Sequence, residues 1–240
     1  MKKNLFIVGL LMAMSLSVSA QGYKGFAFGF KLGPNFGWTG STTGAAVSEG
    51  ARTGFDVGVV AEYYFANNYA IVSGVNVGFL GGHYSFDNAW MDTTNLVTYS
   101  VDRVYKSTVY EIPLMLKMVT NELGSLPLRA YAEVGGGIGL AAKKVKVKDD
   151  GAENWTTTNK EFSNLRASLK IGAGAQYSLD ETTRIFAGVY FSHDFINMIN
   201  YISPDYCGNY YDAEGNKIGA RDLKLNVLQN RIGIEVGVLF

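Results

Sequence analysis

Leu228-Gln229-Asn230-Arg231-Ile232-Gly233-Ile234-Glu235-Val236-Gly237-Val238-Leu239-Phe240 separates its residues by parity. Leu228, Asn230, Ile232, Ile234, Val236, Val238 and Phe240 fall on one side of an extended chain. Gln229, Arg231, Gly233, Glu235 and Gly237 fall on the other, with Leu239 the exception. Successive side chains of a strand point to opposite faces, so this alternation marks a strand with one apolar and one polar face. The apolar face could meet a soluble core or lipid, and the rest of the chain decides which.

Seven other stretches repeat the pattern. Tyr110, Ile112, Leu114, Leu116 and Met118 oppose Glu111, Pro113, Met115 and Lys117; Leu128, Ala130, Ala132, Val134, Ile138 and Leu140 oppose Arg129, Tyr131, Glu133 and Gly135. Ala167, Leu169, Ile171, Ala173, Ala175 and Tyr177 oppose Arg166, Ser168, Lys170, Gly172, Gly174 and Gln176. Four stretches alternate less cleanly, among them one in which Phe186 and Tyr190 interrupt the polar side. The expected strands cover residues 24–38, 51–65, 69–85, 104–119, 126–145, 163–179, 182–197 and 225–240.

The connections choose the solvent. Ala66-Asn67-Asn68, Asn121 to Ser125 and Asp180-Glu181 are short; Thr39 to Gly50, Asp87 to Arg103, Lys146 to Phe162 and Asn197 to Lys224 are long and polar. Long and short therefore alternate, as periplasmic turns and external loops do in outer-membrane barrels, whereas a soluble sandwich has no reason to sort its loops. The expected fold is all-β, a transmembrane eight-stranded antiparallel up-and-down β-barrel with both termini periplasmic. Each segment supplies the roughly 9–11 residues that a tilted membrane strand needs. Closure is required because hydrocarbon offers no partner to an open sheet edge. Tyr63, Tyr64, Phe65 and Tyr69 at the first short turn, and Trp38, Phe79, Tyr84 and Phe195 near the outer ends, suit interfacial girdles.

Composition agrees. Charged residues make up 18% of the 240-residue chain, and Gly numbers 29 against 4 Pro, a departure from ordinary soluble domains. The zero formal net charge gives no electrostatic basis for a nucleic-acid partner. The lone Cys207 forms no intramolecular disulfide. Lys2 and Lys3, the apolar run Leu5 to Leu16 and the Val18-Ser19-Ala20 site read as a signal peptide over 1–20, cleaved after Ala20. The barrel domain then spans 21–240, starting at Gln21.

If the apolar parity faces lipid, the other parity fills the lumen. It carries Lys31, Lys117, Arg129, Arg166, Lys170, Arg184 and Arg231 against Asp56, Glu62, Glu111, Glu133 and Glu235. Seven basic and five acidic groups in an eight-stranded interior, about wide enough for side chains alone, must pair to offset desolvation. The expected outcome is a structural salt-bridge plug; the alternative is a narrow ion path. Lys143, Lys144, Lys146 and Lys148 climb into the third long loop, as a solvated rim or as partners for lipopolysaccharide phosphates. Asp149-Asp150-Gly151 and Ala213-Glu214-Gly215-Asn216 read as hairpin turns within the long loops.

Gly29-Phe30-Lys31-Leu32-Gly33, Tyr110-Glu111-Ile112-Pro113-Leu114, Tyr131-Ala132-Glu133-Val134-Gly135 and the terminal Gly233 to Phe240 resemble the PorT-like outer-membrane β-barrel family of Bacteroidetes. The resemblance implies an eight-stranded outer-membrane barrel and, in Phe240, the terminal aromatic read by the barrel-assembly machinery. One namesake is linked to secretion, a role that no loop motif supports here. Pro113, which cannot donate to the ladder, is expected to mark a bulge or local bend.

Catalysis is not expected. Ser192-His193-Asp194 are adjacent on a strand and face alternate sides, so they cannot form a triad together. His83, His193 and Cys207 lack metal-ligand spacing, and Gly135-Gly136-Gly137-Ile138-Gly139 lacks the dinucleotide pattern. No cofactor is implied. The expected function is a structural or interaction barrel in outer-membrane lipid and lipopolysaccharide whose external loops contact a partner such as an envelope protein, a ligand or an envelope component. A small pore and, less favoured, an outer-leaflet lipid-modifying enzyme are the alternatives.

Overall fold

The computed structural model describes residues 25–41, 46–92, 95–142, 145–149, 154–158, 162–199, 209–211, 217–220 and 226–240. The expected signal peptide with its cleavage site, Lys143, Lys144, Asp150, Gly151, Cys207 and the Ala213 to Asn216 turn lie outside the described residues.

Eight strands form the barrel: β1 Gly25–Ser41, β2 Arg52–Ala66, β3 Tyr69–Asp92, β4 Asn95–Val119, β5 Leu128–Ala141, β6 Leu165–Ser178, β7 Arg184–Asp194 and β8 Val227–Leu239. Each pairs antiparallel with its neighbour in the chain. β1 pairs with β8, from Gly29 opposite Leu239 to Ser41 opposite Val227, and closes the ring. The sheet therefore has no edge within the barrel, as the expected architecture requires. The fifth strand ends at Ala141, short of the expected 145, and a separate strand, Val145–Asp149, continues along the same β4.

The second connection departs further from expectation. Residues 87–103, read as a polar loop, continue the β3–β4 hairpin in unbroken register to Asp92 opposite Asn95. The cause is an inversion of the two faces. From Tyr69 to Phe79 on β3 and from Met118 up to Tyr110 on β4, the large outward side chains are apolar and exposed. Beyond them the outward positions become Gly81, His83 and Ser85 on β3, and Thr108, Lys106, Val104 and Asp102 on β4. Inward, Asn76, Glu111 and Lys117, set among Ala70, Val72, Met115 and Val119, give way to Leu80, Tyr84, Phe86, Val101 and Tyr105 with Arg103 among them, all buried. The hairpin thus leaves the apolar belt and becomes an ordinary water-facing ribbon over its own core.

Ala46–Ser48 pairs with β3 at Tyr84 to Phe86. Thr156–Thr158 pairs with Val145–Asp149, and Asn209–Tyr211 with Lys217–Ala220. Strand pairs flank both turns expected in the long loops; Asp149, expected in a turn, ends its strand opposite Arg103, and the other turn residues lie outside the described set.

Pro113 causes no bulge. The β3–β4 register is the same on either side of it, with Ser73 opposite Leu114 and Asn76 opposite Glu111. The ladder is interrupted between those two pairs, where Gly74 has a φ of +152° that suits glycine, and the Ser73 hydroxyl donates to the Pro113 carbonyl at 2.8 Å. The register shift that does occur lies between Tyr64 and Ala66 at the first short turn. The Asn68 side-chain amide closes that end by donating to Val119 O at 2.7 Å. At the third turn Asp180 Oδ1 accepts from the backbone N–H of Thr183 at 2.7 Å and of Thr182 at 2.8 Å. Those bonds hold its carboxyl well below the usual range, at about 2.

Most of the expected girdle aromatics face outward. Phe65 stacks on Tyr69 with ring centroids 6.2 Å apart, Tyr63 packs on Phe26 at 4.7 Å, and Trp38 packs on Phe191 at 6.1 Å. Tyr64 and Tyr84 do not belong to the girdles. Both point inward and are buried, because they sit on the lumen parity of their strands.

Candidate functional site

The interior is built in layers. At the short-turn end Lys117 donates to Glu62 at 2.6 Å, with both side chains 2% exposed. Glu62 also accepts from Tyr64 Oη at 2.7 Å, and Tyr64 Oη accepts from Arg184 at 3.0 Å. The Lys117 ammonium lies 4.2 Å from the Tyr131 ring centroid. Arg129 is buried here too and reaches backbone oxygens: Nε donates to Thr120 O at 2.6 Å and a terminal nitrogen to Asn67 O at 3.3 Å. It ties two short turns together.

The middle layer holds two linked clusters. Lys31 and Lys170 reach Glu235 at 3.2 and 3.4 Å, and the buried Glu133 adjoins them. Arg231 donates to Glu111 at 2.5 Å and lies 3.7 Å from Asp56. Asp56 also accepts from Asn35 at 2.9 Å and from the Tyr190 hydroxyl. A cavity of about 20 Å³ bordered by Lys31, Asp56, Asn76, Glu111 and Arg231 remains, room for about one water molecule.

Above it Arg166 donates to Asp194 at 2.6 Å, both nearly inaccessible. The Tyr105 hydroxyl bonds to Gln229, which donates onward to Gly81 O at 3.3 Å. Ala46, Tyr84, Phe86, Val101, Tyr105, Val147, Phe162, Met198, Ile199 and Val227 then pack into one buried apolar cluster across the upper end.

Glycine makes room for the bulky groups of this interior. A Cβ on Gly233 would stand 2.5 Å from the Tyr190 ring, and Gly237 lies under Phe186 in the same way. Phe186 and Tyr190, which interrupt the alternation of β7, therefore fill space left by glycines on β8. This complementarity becomes visible only once the β7–β8 register pairs Tyr190 with Gly233 and Phe186 with Gly237.

All twelve charged residues expected in the lumen point into it. The structure adds Asp194 as the partner of Arg166 and places Arg103, 2% exposed, in the upper extension. Asp194 was legible from parity, since it shares a face with Tyr190 and Ser192. Ser192 and Asp194 face inward. His193 faces outward, where Nδ1 pairs with Asn230 Oδ1 at 2.6 Å, so these three groups are kept apart. A second Ser, His and carboxylate group lies outside the upper hairpin, yet His83 bonds to Asp102 through Nε2 while Ser85 gives its hydroxyl to Glu49 at 2.5 Å. Serine and histidine are not joined there. Among the described residues no cluster of His, Cys, Asp and Glu could hold a metal ion.

Residues 17–200 match a family model described as outer membrane protein beta-barrel domain. Among solved structures, Neisserial surface protein A is similar at 14% identity, covering 89% of this chain and 99% of that one, with a TM-score of 0.43. OprG of Pseudomonas aeruginosa is 13% identical over 91% and 99%, TM-score 0.42. Ail, the attachment invasion locus protein of Yersinia pestis, is 15% identical over 90% and 99%, TM-score 0.37. Comparison with curated protein sequences finds no match.

Proposed function

Since this chain belongs to the outer membrane protein β-barrel domain family, a family of the bacterial outer membrane, we propose that it serves as a structural and interaction barrel. Its strands form a filled, non-conducting post, and its long connections contact an envelope component. The carrying observation is the interior: paired charges in layers, a residual cavity of about 20 Å³ and an apolar cluster over the top. An ion crossing it would have to break buried pairs and shed its water among aromatic rings, each costly. Planar-bilayer recording of the refolded protein should show no resolvable steps. Reproducible steps that change on substituting Arg231 or Glu111 would establish the pore alternative.

The placement of Ser192, His193 and Asp194 on opposite faces supports a non-catalytic reading. The chain is exported, cleaved after Ala20, and sits with its short turns in the periplasm, as loop lengths suggest. The Glu111-Ile112-Pro113-Leu114 element and the other shared motifs support membership of the PorT-like Bacteroidetes group. Phe240 is outward-facing and half exposed, and its backbone pairs with Phe28 at 2.7 and 3.1 Å. We assign it to recognition by the assembly machinery, so its deletion should lower assembled barrel without altering export. Unchanged heat-modifiable protein would count against that role. An envelope partner should co-purify with the intact barrel and be lost on trimming Asn197 to Lys224.

A further inference from the structure

Lys106 on β4 and Lys146 on the Val145–Asp149 strand stand directly opposite each other, and Lys148 follows opposite Val104. Lys106 and Lys146 are exposed, and all three share the outward face. Like charges directly opposite on a sheet destabilise it, so fold stability alone does not account for this pairing. Among the described residues no carboxylate pairs with any of the three. The nearest acid on this face of β4, Asp102, is bonded to His83. Lys106 instead lies over the Trp155 ring, 4.7 Å from its centroid, and Trp155 is 39% exposed.

The position of the cluster selects its ligand. Directly beneath it the lipid-facing belt ends in a cross-strand row, Tyr110 opposite Leu140 opposite Leu165, exposed by 53%, 60% and 49%. Lys106 is four residues above Tyr110. At ~3.4 Å per residue and a tilt of ~40° this is roughly 10 Å above the belt. The headgroup zone adds about 5–8 Å on each side of the hydrocarbon, within the span of a lysine side chain. An amphipathic ligand can thus lay acyl chains on the row and phosphates on the lysines at once, which a soluble polyanion cannot.

We propose that Lys106, Lys146 and Lys148 form a docking face for the phosphate groups of the outer leaflet's glycolipid. The inference rests on the reading that the long connections are external. It is separable from the protein-partner reading, because it is tested on the purified barrel alone.

The test uses the full chain refolded in neutral detergent micelles, titrated with diphosphoryl lipid A, its dephosphorylated counterpart, inorganic phosphate and heparin. Wild type should bind the phosphorylated lipid most tightly, and added salt should weaken binding. With ~1 kcal/mol per lysine near an anionic surface and 1.4 kcal/mol per decade, Lys106→Gln, Lys146→Gln and Lys148→Gln combined should weaken it on the order of 100-fold. Arg52→Gln, an exposed cation elsewhere on the upper rim, should leave it unchanged. Lys146→Gln without ligand should keep or raise the urea midpoint, since it relieves a like-charge pair. Equal affinity for dephosphorylated lipid, a preference for heparin or free phosphate, wild-type affinity in the folded triple variant, or a lowered midpoint in Lys146→Gln would each overturn the proposal.

Discussion

Neutralising Glu62 tests most directly whether the interior is a paired plug. Lys117 and Glu62 are 2.6 Å apart with side chains 2% exposed, so neither can turn to water. Glu62→Gln keeps the volume and an acceptor for Tyr64, but leaves a buried ammonium without its carboxylate. Breaking one partner of a buried pair costs about 3–5 kcal/mol. The Tyr131 ring, 4.2 Å from the ammonium, offsets about 1 kcal/mol of this, leaving about 2–4 kcal/mol. Lys117→Met should cost a similar amount, because Glu62 keeps only the Tyr64 hydroxyl among its close donors. The double variant removes both charges and should lie within about 1 kcal/mol of wild type, since an apolar replacement of a buried pair is often neutral. The cycle should therefore give a coupling energy above about 2 kcal/mol. The assay is reversible urea unfolding of the refolded barrel in lipid vesicles, followed by tryptophan fluorescence. Single variants costing under about 1 kcal/mol, or additive singles, would mean that water reaches the pair and the layer is not closed.

Gly233→Ala should lower stability by about 1–3 kcal/mol, because its new methyl meets the Tyr190 ring; urea midpoints check this. Arg129→Lys keeps the charge but loses the forked donors to Thr120 O and Asn67 O. It should cost about 1.5–3 kcal/mol and speed amide exchange at the first two short turns. The Asp180 carboxyl should titrate near 2 in carbon-detected spectra, with the Thr182 and Thr183 amides moving in step. Its folded value is depressed, so its contribution to stability is complete above the unfolded value near 3.8 and is lost as pH falls through about 2. Asp180→Asn should abolish that dependence.

The parity of Leu228 to Phe240 and the rhythm of the connections were enough to read a closed barrel, its strand count and the twelve inward charges. A two-residue period leaves little freedom once one face must meet lipid. Three features were not legible for physical reasons. Residues 87–103 looked like a loop because the swap at Leu80 breaks the single parity of the lower strand, although Tyr84, Phe86, Val101 and Tyr105 stay on one face with the buried Arg103 between the last two. The pairing of Tyr190 with Gly233 depends on register, which local sequence does not encode. Pro113 was read as a bulge or local bend; that it interrupts the ladder without shifting register depends on the residues it faces, which local sequence does not encode.

The face swap at Phe79 and Leu80 acts as a waterline. A rise of two residues would lift Phe79 out of hydrocarbon, and a descent of four would pull His83 and its Asp102 partner into it. Each displacement carries a penalty of different origin, one hydrophobic and one electrostatic. The barrel cannot bob: its vertical station is written into one hairpin, which also sets the height of the connections above it.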